Sequence, residues 1–217
     1  DERIPRVRRE TWPYGMISLA AGRTYAETLV HRPTGFLPIS SADPNDLARE
    51  VEAARAALDA GVVIVDTSSI VIASYIEEDW PVILGAFPRV EVPANARMDA
   101  ASAVDKLQPR STETLAWDLQ SDQPVRHTTD AETLDRLEAR LAWVRDQIFS
   151  LSISETEDPE SIETGEAWIS AFRVARTATS SLWADDVGLR VLARNEGVKA
   201  FGTQALLHAL AERDLIT

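Results

Sequence analysis

The sequence predicts a three-layer α/β/α domain with a central, mainly parallel sheet and a helical insertion, and three observations carry that prediction. The first is the stretch Val62 to Ile70, VVIVDTSSI, which follows Gly61. A run so short and so rich in β-branched residues reads as a strand buried on both faces, the signature of a parallel sheet. The second is the order of signals from Asp43 to Leu107, which alternate helix, strand, helix, strand, helix; such alternation implies parallel strands joined by crossover helices. The third is the return of the same rhythm near the C-terminus after a more irregular middle third.

Taken in order, residues 1–42 read as an N-terminal extension or the end of a preceding domain, and 43–217 as the α/β domain. Arg3, Arg6, Arg8 and Arg9 make a small basic cluster, read as a solvated linker. Gly15 to Ala20 and Thr24 to Val30 are expected to pair as a hairpin around Ala21-Gly22-Arg23. Asp43-Pro44-Asn45-Asp46 starts a helix that carries Leu47, Val51, Ala54 and Leu58 at helical spacing and stops at Gly61. After the first strand, Ile70 to Phe87 is apolar, with Trp80-Pro81 marking a break or the first turn of a second helix. Val90 to Pro93 forms a second strand, and Ala94 to Leu107 a helix closed by Pro109.

Residues 108–129 are polar and read as a loop anchored by Trp117. From Asp130 a helix presents Leu134, Leu137, Leu141, Val144, Ile148 and Leu151 in alternating steps of three and four. This packing seam is read as intramolecular core, with a homodimer contact as its alternative. Glu155, Glu157, Asp158, Glu160, Glu163 and Glu166 form a solvated acidic run leading into a helix carrying Ile162, Trp168, Ile169, Phe172 and Ala175. A helical insert thus spans about 110–178. Ser181 to Ala184 is the third strand, Val187 to Asn195 a helix ended by Gly197, Val198 to Phe201 the fourth strand, and Gly202-Thr203 the start of the last helix. His208, in that apolar helix, is read as packed rather than catalytic.

Composition narrows the function classes. The 217-residue chain carries a formal net charge of −13, which argues against broad nonspecific nucleic-acid binding. It has no cysteine, so disulfides, thiolate metal sites and a Cys nucleophile are excluded. No apolar run is long enough to span a bilayer, and a cytoplasmic location is expected. The first residue is Asp rather than Met, which suits a piece of a longer protein. There is no Gly-rich segment followed by Lys-Ser or Lys-Thr, so no phosphate-binding P-loop, and the three histidines are scattered.

The candidate chemistry lies in the acids at the strand ends. Asp66 ends the first strand with Thr67 and Ser68 beside it; Asp99 follows the second; Asp185 and Asp186 follow the third. In an open parallel sheet those ends share one edge, where ligands bind. Four carboxylates brought together there repel unless a hard divalent cation holds them, and oxygen-only ligation suits Mg²⁺ or Mn²⁺. Such an ion can orient a phosphodiester and activate water, which also lets an acidic protein hold a polyanion. The simpler alternative is that each acid only caps the helix beside it.

VIVDTSSI, VPANARMD and LWADDVGLRVLARNEGVKAFGTQALL together resemble the conserved blocks of PIN domains, a metal-dependent nuclease family of bacterial toxins and RNA-processing factors. The resemblance covers roughly residues 60–213. Its last block, with the closing Gly202-Thr203, is most similar to PIN domains attached to larger bacterial multidomain and conflict-system proteins. It implies a metal-dependent endoribonuclease with RNA or single-stranded nucleic acid as substrate, restrained by an inhibitory partner or by other domains of a longer chain. It makes Asp66 the first metal ligand, with Thr67 or Ser68 in support, and Asp185 or Asp186 a later one, with Thr203 supporting nearby. Asp99 stands where the family usually has Glu, and Gly202-Thr203-Gln204 where many members carry another acid. These departures leave a catalytically inactive interaction or regulatory domain as the alternative reading.

Overall fold

The computed structural model describes residues 12–31, 44–107, 113–118, 123–128, 130–155 and 166–216. Five parallel strands form the central sheet: β1 (Val62–Val65), β2 (Arg89–Val92), β5 (Ser152–Ile153), β6 (Ser181–Trp183) and β7 (Ala200–Phe201), in the order β5-β2-β1-β6-β7. The chain builds outward from β1 through β2 to β5, then returns to lay β6 on the other side of β1. The β1/β6 junction is therefore the topological switch point, where such sheets open a crevice at the carboxyl ends of their strands.

Alternation along the strands sorts the core into two layers. Val63, Val65, Trp183 and Phe201 face one side, toward α3 (Pro44–Ala60) and α10 (Thr203–Ala211). Ile64, Leu182 and Ala200 face the other, toward α8 (Ala167–Thr177) and α9 (Val187–Asn195). Two-sided burial is why these strands read as unbroken apolar runs. Trp183 anchors the first layer, with ring centroids 5.4 Å from Trp80, 6.3 Å from Phe87 and 6.4 Å from Phe201. Of the two readings of Trp80-Pro81, the first turn of a second helix is the one observed: Trp80 opens the short helix α5 (Trp80–Gly85), which follows α4 (Thr67–Ala73). The expected three-layer α/β/α fold is the fold observed.

Three expectations need correction. The N-terminal stretch is not a hairpin but two helices, α1 (Tyr14–Ala21) and α2 (Tyr25–Val30). Thr24 and Glu27 have the Thr-x-x-Glu spacing of a helix start, and the Thr24 hydroxyl accepts from Glu27 N–H at 3.2 Å. Gly22, at φ +64°, ends α1 in the left-handed conformation glycine adopts without cost. That local chemistry outweighs the weak alternation that suggested strands. Second, residues 108–129 are not all loop: β3 (Glu113–Asp118) and β4 (Gln123–Thr128) pair antiparallel as a separate two-stranded ribbon. A ribbon outside the main sheet has no reason to carry an apolar run, so its polar sequence concealed it. Third, His208 lies on the exposed face of α10.

The segment expected to be a helical insert contributes directly to the domain. After α6 (Ala94–Leu107) and the ribbon, α7 (Ala131–Ser150) buries Leu141, Val144 and Ile148 in the first core layer and feeds edge strand β5, so its apolar seam is core. The basic cluster from Arg3 to Arg9, the helix stop expected at Pro109, the acidic residues Glu157, Asp158, Glu160 and Glu163, and Ile162 lie outside the described residues. Among those described, no helix is long and apolar enough to cross a membrane.

Candidate metal centre

Asp66 leaves β1 with its N–H donating to the Trp183 carbonyl at 2.8 Å, which ties the ends of β1 and β6 together. Its carboxylate is 1 % exposed and caps α4, accepting from Ser68 N–H at 2.9 Å and from the Ser68 hydroxyl. The same Ser68 oxygen accepts the N–H groups of Asp185 at 3.0 Å and Asp186 at 3.1 Å. One serine thus fixes the end of β6 against the end of β1. Thr67, expected to support the site, is buried at the first position of α4.

Asp186, fully buried, caps α9 by accepting from Leu189 N–H at 3.3 Å through Oδ1. Its other oxygen, Oδ2, accepts Tyr14 N–H at 2.7 Å and lies 3.3 Å from the Tyr25 hydroxyl. That hydroxyl is also 3.1 Å from Asp66 Oδ2. Asp66 and Asp186 are therefore brought together at the switch point, with one phenol oxygen between them. A phenol has one proton, so it cannot serve two full carboxylates at once; a proton held by the acid pair resolves the conflict. Burial, the largest influence, pushes Asp66 up to about 7 and Asp186 up to about 6, and for Asp66 the neighbouring Asp186 charge adds to the rise. Burial also raises Tyr25 well above the usual phenol range, so Tyr25 stays a donor.

The other two acids go elsewhere. Asp185 accepts from Thr203 N–H at 2.8 Å and from the Thr203 hydroxyl, which in turn accepts from Trp183 Nε1 at 3.0 Å. Thr203 therefore serves Asp185 and the start of α10. Gly202 permits this approach, since a Cβ there would come within 2.8 Å of Arg190 Nη1 and 3.0 Å of Asp185 Oδ1. Arg190, with no exposure, donates to Glu50 at 3.0 Å and to the Ala184 carbonyl at 2.8 Å. Asp99 reaches up from α6 to cap α2, accepting Tyr25 N–H at 2.9 Å and Ala26 N–H at 2.7 Å. Burial raises both Asp185 and Asp99 above the ordinary carboxylate value.

By donor type the Asp66–Asp186 pair suits Mg²⁺ or Mn²⁺, since Mg²⁺ is commonly held by one or two carboxylates with water completing the shell. Among the described residues no three acids or histidines gather closely enough to hold a metal ion. The pair fits the ion in chemistry, while the Tyr25 hydroxyl takes the space between its members. Sequence reasoning missed Tyr25, and the Thr24–Glu27 helix signal would have found the segment that carries it.

A five-stranded parallel sheet with an acid pair at its switch point defines a PIN-type, nuclease-like α/β module. Residues 64–195, more than half of the chain, match the family model for the PIN domain associated with the TPR-GreAB-C-PIN system, and the chain belongs to that family. No curated protein shows a significant match to it.

Proposed function

We propose that this chain is a metal-dependent endoribonuclease, a PIN effector module within a larger bacterial conflict-related protein, acting on RNA or single-stranded nucleic acid. What carries the reading is one observation: Asp66 Oδ2 and Asp186 Oδ2 both lie within 3.3 Å of the same phenol oxygen at the β1/β6 switch point. Asp66 and Asp186 would hold Mg²⁺ or Mn²⁺. The bound ion would orient the scissile phosphodiester, activate water and offset the charge of the transition state. Ser68 holds the Asp66 carboxylate at the switch point, and its hold on Asp186 N–H ties the end of β6 to the same place. Asp185 acts as a positioning residue through Thr203, while Asp99 holds the start of α2.

The test is cleavage of a labelled single-stranded RNA by the purified chain with Mn²⁺, compared with Asp66→Asn. Cleavage that needs the metal and falls roughly a hundredfold or more in the variant supports the reading. Equal cleavage by both proteins overturns it. A second reading, an inactive PIN module kept for interaction, is favoured by the commitment of Asp99 and Asp185 to hydrogen bonds away from the pair. It predicts no saturable Mn²⁺ site that Asp66→Asn removes.

A further inference from the structure

We propose that residues 12–31 are a built-in stopper: the α1–α2 pair sits on the acid pair and has to lift before a divalent cation can enter. The inference rests on the metal-site reading above and concerns how that site is controlled. Three acids singled out from the sequence are each bound by this one segment. Tyr25, 2 % exposed, presents its hydroxyl to Asp66 and Asp186; Tyr14 N–H donates to Asp186 at 2.7 Å; Asp99 receives the first two N–H groups of α2. These are the kinds of contact an ion and its waters would replace.

The segment is held unevenly. α2 is keyed into the core through Tyr25, Ala26, Leu29 and Val30, whereas α1 leaves Trp12 before it, Met16 and Leu19 exposed and buries only Gly15 and Ser18. Gly15 lies so close to Trp168 on α8 that a Cβ there would fall 2.0 Å from the indole. The seat of α1 thus depends on a glycine, and α1 is the end from which the stopper peels. A site populated in its open form only as a small fraction binds with an affinity lowered by that fraction. By linkage, an ion that prefers the open form must loosen the stopper in return.

The experiment uses the full chain, Mn²⁺ as probe, the electron paramagnetic resonance of free Mn²⁺ to follow uptake, and amide exchange of residues 14–30 to follow the stopper. Gly15→Val wedges α1 away from Trp168, and Tyr25→Phe removes the bridging hydroxyl while keeping the ring; circular dichroism checks that each is folded. Both variants should take up Mn²⁺ roughly tenfold or more tightly than the unaltered chain. Mn²⁺ should speed exchange over residues 14–30 of the unaltered chain, and Asp66→Asn should abolish both effects. If the unaltered chain binds Mn²⁺ as tightly as the folded variants, at a site Asp66→Asn removes, the stopper is wrong and the metal reading stands. If neither variant takes up Mn²⁺, both fall. Where Gly15→Val does not fold, Tyr25→Phe alone decides by the same criteria.

Discussion

Tyr25 and Asp66, 41 residues apart in the chain, meet at 3.1 Å between phenol and carboxylate. Their contact joins a segment outside the matched family region to the first acid within it. A hydroxyl is a modest donor for a buried acid, and the same oxygen lies 3.3 Å from Asp186 Oδ2, which its single proton cannot serve at the same time. The three groups make a proton-sharing cluster whose stability depends on how many charges it carries.

That dependence has a definite sign. Asp66 and Asp186 bind protons more tightly folded than unfolded, with folded values of about 7 and about 6 against an ordinary 3.8. Their contribution to stability is full below the unfolded value and is lost as pH rises through 6 to 7. The slope approaches about 1.4 kcal/mol per pH unit for each group between its unfolded and folded values, and levels off above the folded one. Urea midpoints of the metal-free chain should therefore fall between about pH 5 and about pH 8, and Asp66→Asn should flatten the fall. A midpoint that rises over this interval would contradict the cluster.

Glu50 and Arg190 set the scale of a purely structural ion pair. They are 2 % and 0 % exposed, their contact is 3.0 Å, and Arg194 joins the same carboxylate oxygen at 2.9 Å. Glu50→Ala leaves Arg190 charged, buried and without its acid, and should cost about 3–5 kcal/mol in urea unfolding. Glu52, one of two exposed partners of Arg55, also makes an ion pair, yet Glu52→Ala should cost only about 0–1 kcal/mol. Similar losses from the two substitutions would mean that burial does not decide the value of these pairs.

The sequence made some of this legible. VVIVDTSSI announced both β1 and Asp66 because a doubly buried strand is apolar without interruption and ends at a polar cap. Asp185-Asp186 marked the second strand end equally well. What local pattern could not give was direction: neighbouring aspartates separated by one peptide turn to different partners, Asp186 to Tyr25 and Asp185 to Thr203. Asp99, expected at the shared edge, spends both carboxylate oxygens on the backbone of α2. The ribbon β3–β4 leaves no apolar signal because it lies outside the main sheet, and α1–α2 is announced only by the four-residue capping spacing from Thr24 to Glu27.

The most direct test of the centre asks which of the two adjacent aspartates holds the ion. Mn²⁺ titration at about pH 8, where the acid pair is deprotonated, is to be run on the Gly15→Val chain and on the same chain carrying Asp185→Asn or Asp186→Asn. The account predicts that Asp186→Asn abolishes saturable uptake, while Asp185→Asn binds Mn²⁺ within about threefold of its parent and loses thermal stability through Thr203 and α10. Loss of uptake in Asp185→Asn with uptake retained in Asp186→Asn would contradict it.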